Sequence, residues 1–322
     1  MDFNLSPEQL AWQAKAHSLG KKLAPDAAAG DVIRAAAAAG LIESRPDLLA
    51  TVVAVEALAY ESSAAGVSLA LHAGVTAGLD GNRRFADLDS GEVVGAIALS
   101  SDDVPVEQDG RLSGRAAWVT PLTPLGVAVL GMRSGDGLTA AAVSLNAPGV
   151  MQEPVDTAAL GGVVCGHVLL DGAPFVAVGP TMPFMSRVRI LLAAAGLGMG
   201  RRALREALVA AHGHTGHGAG GEQTVQGLLA DAATELDAAM LLTWKAAAAR
   251  ELSLAEASMA KLAATEATQR AVARATQVVG ADSFRRGHII ERLAQDVRTL
   301  ELFAGRTEAL RDVVAIEILP HA

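Results

Sequence analysis

A block of short apolar runs between Gly91 and Pro183 interrupts a chain that otherwise repeats with helical period. Val93-Val94-Gly95-Ala96-Ile97-Ala98-Leu99 is one such run, and 111–120, 126–133, 138–145 and 161–170 are similar. Asp109-Gly110, Ser134-Gly135-Asp136-Gly137 and Asp171-Gly172 punctuate them with residues that suit tight turns. Runs of this length between turns predict strands, so residues 91–183 are expected to form a middle β domain that closes at Pro180-Thr181-Met182-Pro183.

The flanks predict helices. In residues 1–90, Ser6-Pro7-Glu8-Gln9 starts the first one: Ser6 caps, Pro7 suits the first helical position and Gln9 completes a capping box. Leu10, Ala14 and His17 or Leu19 carry its face to about Leu23. A second helix is expected over 31–39, ending at Gly40. A third opens at Pro46 and runs through Leu49, Val53, Val55 and Leu58, and a fourth covers 64–79. In residues 184–322, helices are expected near 187–212, 223–250, 254–279, 286–302 and 307–318. Their short connections imply an antiparallel bundle. Leu293, Val297 and Leu300 form one apolar stripe, Gly305 supplies the positive φ of a helix end, and Thr307 is expected to cap the last helix. The fold class is therefore α+β, with helices, a β domain and a helical bundle in that order.

Composition agrees. Hydrophobic residues make up 51% of the 322 residues but aromatics only 3%, which favours close-packed, alanine-rich helices. A net charge of −9 argues against nucleic acid or an anionic membrane as the main partner. The single cysteine, Cys165, forms no intrachain disulfide and fits a reducing, cytoplasmic setting. The acidic, polar start is unlike a signal peptide, and Arg201 and Arg202 stop the apolar run 190–200 short of a membrane span. His212, His214 and His217 lie in a Gly/His-rich stretch with no cysteine or carboxylate cluster, so no metal site is expected.

Several local stretches point to one family when taken together. They are Met1-Asp-Phe-Asn-Leu-Ser-Pro-Glu-Gln9, Ala98-Leu99-Ser100-Ser101, Ala117-Trp118-Val119-Thr120, the Gly/Ala-rich stretch 193–204, Gln223-Thr-Val-Gln-Gly-Leu-Leu-Ala-Asp231, Met259-Ala-Lys-Leu262 and Gln277-Val-Val-Gly280. Their order resembles that of the acyl-CoA dehydrogenase family. The resemblance covers nearly the whole chain, although the chain is shorter than typical members in its N-terminal helices and β-domain loops.

That resemblance implies FAD held between the β domain and the bundle, completed by a neighbouring subunit. Ser100 would hydrogen-bond the flavin, Trp118 would pack on it and Thr120 would bond near its reactive face. His212, Thr215, Gln277, Gly280 and Gly305 occupy further cofactor-facing positions. His212 stands where the family has a phosphate-pairing arginine, and neutral histidine is a poorer clamp. Asp282 follows Gly280 where the family is glycine-rich.

The family's reaction needs a carboxylate to take the α-proton of an acyl thioester. Of the family's two places for it, one is Ala304 here. The other, before the substrate-region Arg189, is Val188. Glu301 is the nearest candidate, and its plainer reading is an ion-paired helix carboxylate. The resemblance extends to short actinobacterial members that act as heteromers on CoA thioesters of steroid fragments, where one subunit type lacks the base. The expected function is Cα–Cβ dehydrogenation of an acyl-CoA or acyl-carrier thioester with FAD, as a base-lacking subunit beside a homologous base-carrying one. The alternatives are a homo-oligomeric flavoenzyme with another base or reaction, and a flavin-free scaffold on the same fold.

Overall fold

Ser6 begins the first helix as its sequence requires. Its hydroxyl accepts from Gln9 N, Gln9 returns a bond to Ser6 N, and Pro7 holds the first position of α1 (Pro7–Gly20). The computed structural model describes residues 4–43, 47–79, 82–99, 103–135, 137–213 and 223–319. Three more long helices follow: α2 (Ala29–Ala38), α3 (Leu48–Glu61) and α4 (Ser63–Gly78). Pro46 lies outside the described residues, and the cap of α3 is Asp47, which accepts from Leu49 N. A 3-10 turn and the short α5 (Asp87–Ser90) lead into the sheet.

The strands are β1 (Val94–Ala98), β2 (Val106–Gln108), β3 (Arg111–Val119), β4 (Gly126–Ser134), β5 (Gly137–Ser144), β6 (Val150–Val155), β7 (Cys165–Ala173) and β8 (Val176–Gly179). They form one sheet in the order β6-β7-β3-β2-β4-β5-β8, with β1 parallel to β4 off that path. β2, β6 and β8 are not visible in the apolar pattern. The strand expected from 161 starts only at Cys165, because Gly161–Val164 is loop. Alternate residues of β4 serve two cores. Val127 and Val129 pack with the helices, whereas Ala128 and Leu130 pack within the β domain. Burial on both faces explains why these strands read as continuous apolar runs.

The C-terminal helices are α6 (Thr181–Gly213), α7 (Gln223–Ala247), α8 (Leu254–Val279), α9 (Ile289–Leu300) and α10 (Thr307–Ile318), with a 3-10 turn at Gly280–Phe284. α6 starts at Thr181 rather than 187: Pro183 falls in its first turn, where a missing N–H costs nothing. α6 is the only described helix long and apolar enough to cross a membrane, and it is a core helix, with 83% of its most apolar window buried. α3 crosses it closely at Gly198, where a Cβ would lie 2.2 Å from Glu56 O. Thr268 Oγ1 on α8 donates to Gly196 O at 2.8 Å. α9 begins at Ile289, three residues later than its sequence pattern predicts, with His288 as cap. Arg306, not Thr307, occupies the N-cap of α10 and gives it no side-chain bond.

Two buried polar residues join the layers. His72 on α4 accepts from Gly95 N at 3.0 Å through Nδ1 and donates Nε2–H to Leu88 O at 3.1 Å. Asp296 on α9 accepts from Leu160 N at 2.6 Å, tying the bundle to the loop before β7.

Candidate functional site

Arg189, near the start of α6, organises the turn between α9 and α10. It is 6% exposed, yet no carboxylate pairs with it among the described residues. Its Nε donates to Ala304 O at 2.9 Å and its Nη1 to Ser258 Oγ at 2.8 Å. Lys261, one turn beyond Ser258 on α8, is 1% exposed and donates Nζ to Gly305 O at 2.8 Å. Two buried cations thus hold two consecutive carbonyls. Burial pushes Lys261 down to about 7, Arg189 pushes the same way, and Glu301 opposes them. Burial also lowers the Arg189 guanidinium from its usual value.

The held turn is bent. Ala304 has φ 55° and Gly305 φ 110°, so both lie in the left-handed region. Gly305 needs to be glycine for a second reason: a Cβ there would lie 3.0 Å from Arg189 Nη2. Val188 is 1% exposed and packs on α4 against Gly74. The two candidate positions for a carboxylate therefore converge through Arg189, and both carry small or apolar side chains. Glu301 caps α9 and pairs with Arg298 at 3.2 Å.

A second group lies at the end of β3. Between Ala116 and Val119 the register against β7 advances three residues on β3 for two on β7. Trp118 sits in this bulge with φ 56° and is 55% exposed. Thr120 Oγ1 donates to Trp118 O at 3.1 Å, while the Thr120 backbone exchanges bonds with Ile97.

The remaining expected positions are scattered. Ser100 and Thr215 lie outside the described residues, as do His214 and His217. His212, 23 residues beyond Arg189 on the same helix, is about 35 Å away. Its Nδ1 donates to Leu208 O at 2.7 Å, which leaves only Nε2 to face outward. Gln277 and Gly280 lie at the far end of α8. Gln277 is exposed, and Gly280 has φ 73° with open space where a Cβ would be. A cavity of about 960 Å³ between α1, α3, α6 and α7, lined by Tyr60, Glu56, Arg201 and Trp244 among others, contains none of the expected residues.

Two neighbours of these groups carry no role in the sequence pattern. Lys261 belongs to Met259-Ala-Lys-Leu262, and its signal is that of a lysine three residues after Ser258 on an alanine-rich face. His167 beside Trp118 depends on strand register, which the sequence does not reveal.

Residues 180–319 match the family described as "Acyl-CoA dehydrogenase, C-terminal domain". The short-chain specific acyl-CoA dehydrogenase of Bos taurus mitochondria is 29% identical over 268 residues, 73% of this chain and 65% of that protein. The chain thus spans just under two thirds of that relative. Among solved structures, butyryl-CoA dehydrogenase from Megasphaera elsdenii superposes with a TM-score of 0.88 at 20% identity, covering 99% of this chain and 100% of that one. A glutaryl-CoA dehydrogenase from Mycobacterium smegmatis, in complex with FADH2, gives 0.89 at 14% identity, covering 99% and 96%. At these identities the structural matches show the fold.

Proposed function

We propose that this chain, whose residues 180–319 match the acyl-CoA dehydrogenase C-terminal domain, is an acyl-CoA dehydrogenase-family protein that takes part in FAD-dependent Cα–Cβ dehydrogenation of an acyl-CoA or acyl-carrier thioester as the subunit without the catalytic carboxylate. The observation that carries this reading is the turn at Ala304. Arg189 and Lys261 hold its carbonyls in place, yet neither Ala304 nor Val188 offers a base. Bound flavin would accept the substrate's β-hydride.

The chain's own residues divide the remaining tasks unevenly. Trp118 presents a flat, exposed ring at a strand end, which suits the face of an isoalloxazine. Gly280 leaves room for close approach of a ligand to the backbone. His212, with Nδ1 committed to Leu208 O, has one ring nitrogen left to face a phosphate, where an arginine offers a fork of donors. Val188 and Ala304 take no proton. A homologous subunit carrying the carboxylate, and the fuller phosphate contacts, would complete the site.

Co-expression with a homologous, base-carrying chain tests this. The expected result is a yellow heteromer whose thioester dehydrogenation neither chain shows alone. A stable, yellow, active homomer of this chain would overturn it. The alternative in which Glu301 is the base predicts that Glu301→Gln abolishes turnover, and the Arg298 pairing of that carboxylate speaks against it.

A further inference from the structure

Trp118 is held in an unfavourable place. A bulky residue at φ 56° costs energy that its surroundings must offset, and Trp118 is exposed. Few contacts within the chain therefore fix the indole. Its carbonyl is tied by Thr120. The other ties come from one residue on β7, His167. Its Nδ1 accepts the backbone N–H of Trp118 over a long 3.4 Å, and the two rings meet edge to face with centroids 5.4 Å apart at 73°. Alternation along β7 explains the placement. Val168 points into the β core, so half-buried His167 points to the opposite face, where the bulge has turned Trp118.

We propose that His167 is a positioning residue for Trp118. It holds the indole in one orientation, as a preset wall for the flat ring of the cofactor. This rests on the proposed function, in which Trp118 contacts the flavin. An exposed aromatic fixed before binding loses less rotamer freedom when a planar ligand docks, so the effect appears in ligand affinity as well as in indole motion.

The test compares His167→Ala, His167→Phe and His167→Asn with wild type and Trp118→Phe. The first readout is time-resolved anisotropy of Trp118 emission, measured with every variant in a Trp244→Phe background and taken as the acrylamide-quenchable component, because Trp12 is buried and Trp244 is half-buried. The second is FAD affinity, measured by titration of the purified chain and of its two-subunit complex. His167→Ala is expected to add fast indole motion and to weaken FAD binding about 3- to 10-fold. His167→Phe, which keeps the ring edge, should recover most of both, and His167→Asn, which keeps only an acceptor, less. Indole motion unchanged in His167→Ala overturns the proposal. If that variant does not fold, equal motion in wild type, His167→Phe and His167→Asn overturns it. Should Trp118→Phe leave FAD affinity unaltered, the flavin reading fails, while the anisotropy still decides what His167 does.

Discussion

Arg189 Nε reaches across 115 residues of sequence to the carbonyl of Ala304. The bond fixes the backbone of a turn whose side chain is only a methyl group. Holding the backbone there is therefore separable from having a carboxylate there, and stability measurements on the turn need no activity.

Gly305→Ala should destabilise the protein by about 1–3 kcal/mol, because φ 110° disfavours any Cβ and Arg189 Nη2 stands 3.0 Å from it. Urea unfolding midpoints at constant m would show the shift. A midpoint equal to wild type would mean that the turn relaxes at no cost.

Lys261 gives the fold a pH dependence at the alkaline end. Its folded pKa of about 7 lies below the usual 10.5, so the unfolded chain binds the extra proton between those values. The penalty of burying the charge is full below pH 7 and is relieved as pH rises towards 10.5. Relative to Lys261→Met, wild-type stability should gain roughly 3–5 kcal/mol between pH 6 and pH 10. Parallel stability curves for the two proteins would contradict this.

His72 acts at the acid end. Burial holds it neutral, with a pKa of about 4 against 6.5. Its contribution is complete above pH 6.5 and is lost as pH falls towards 4, by about 3 kcal/mol. Thermal unfolding of wild type and His72→Gln between pH 4 and 7 should converge at low pH, since protonation removes the acceptor that Gly95 N uses.

Asp296→Ala leaves the buried Leu160 N without its partner and should cost about 1–3 kcal/mol. Hydrogen exchange would locate the loss: faster exchange at the loop before β7 is expected, and faster exchange at α9 alone would refute the link.

Much of the fold is legible in the sequence because its signals are local. The Ser6 box, the glycine at 305 and the Leu293–Val297–Leu300 stripe each act within a turn or two of chain. In α1, by contrast, the expected face at Leu10 and Ala14 is exposed and Trp12, Ala16 and Gly20 are buried instead, because packing on α3 chooses the face. The strands that escape notice lack such signals. β2 has three residues, and β6 contains Glu153 and Pro154 and pairs only with β7. Edge strands bury little, so no apolar pattern marks them. The site divides in the same way. Trp118, Arg189 and Ala304 stand out as residue types. Lys261 and His167 act on partners 44 and 49 residues away, which only helix packing and strand register bring near. Threonine suits a helix cap, yet the chain leaves the Gly305 turn one residue too early for Thr307 to serve as one.

α6 runs unbroken from Thr181 to Gly213 and carries Arg189 near one end and His212 near the other. Each residue added to or removed from the stretch between them would turn one end against the other by about 100°. The helix therefore works as a threaded shaft. Its residue count sets the direction in which the far end faces once Arg189 has engaged the turn at Ala304, so a one-residue insertion there would re-aim His212 while leaving the side chains of the helix unchanged.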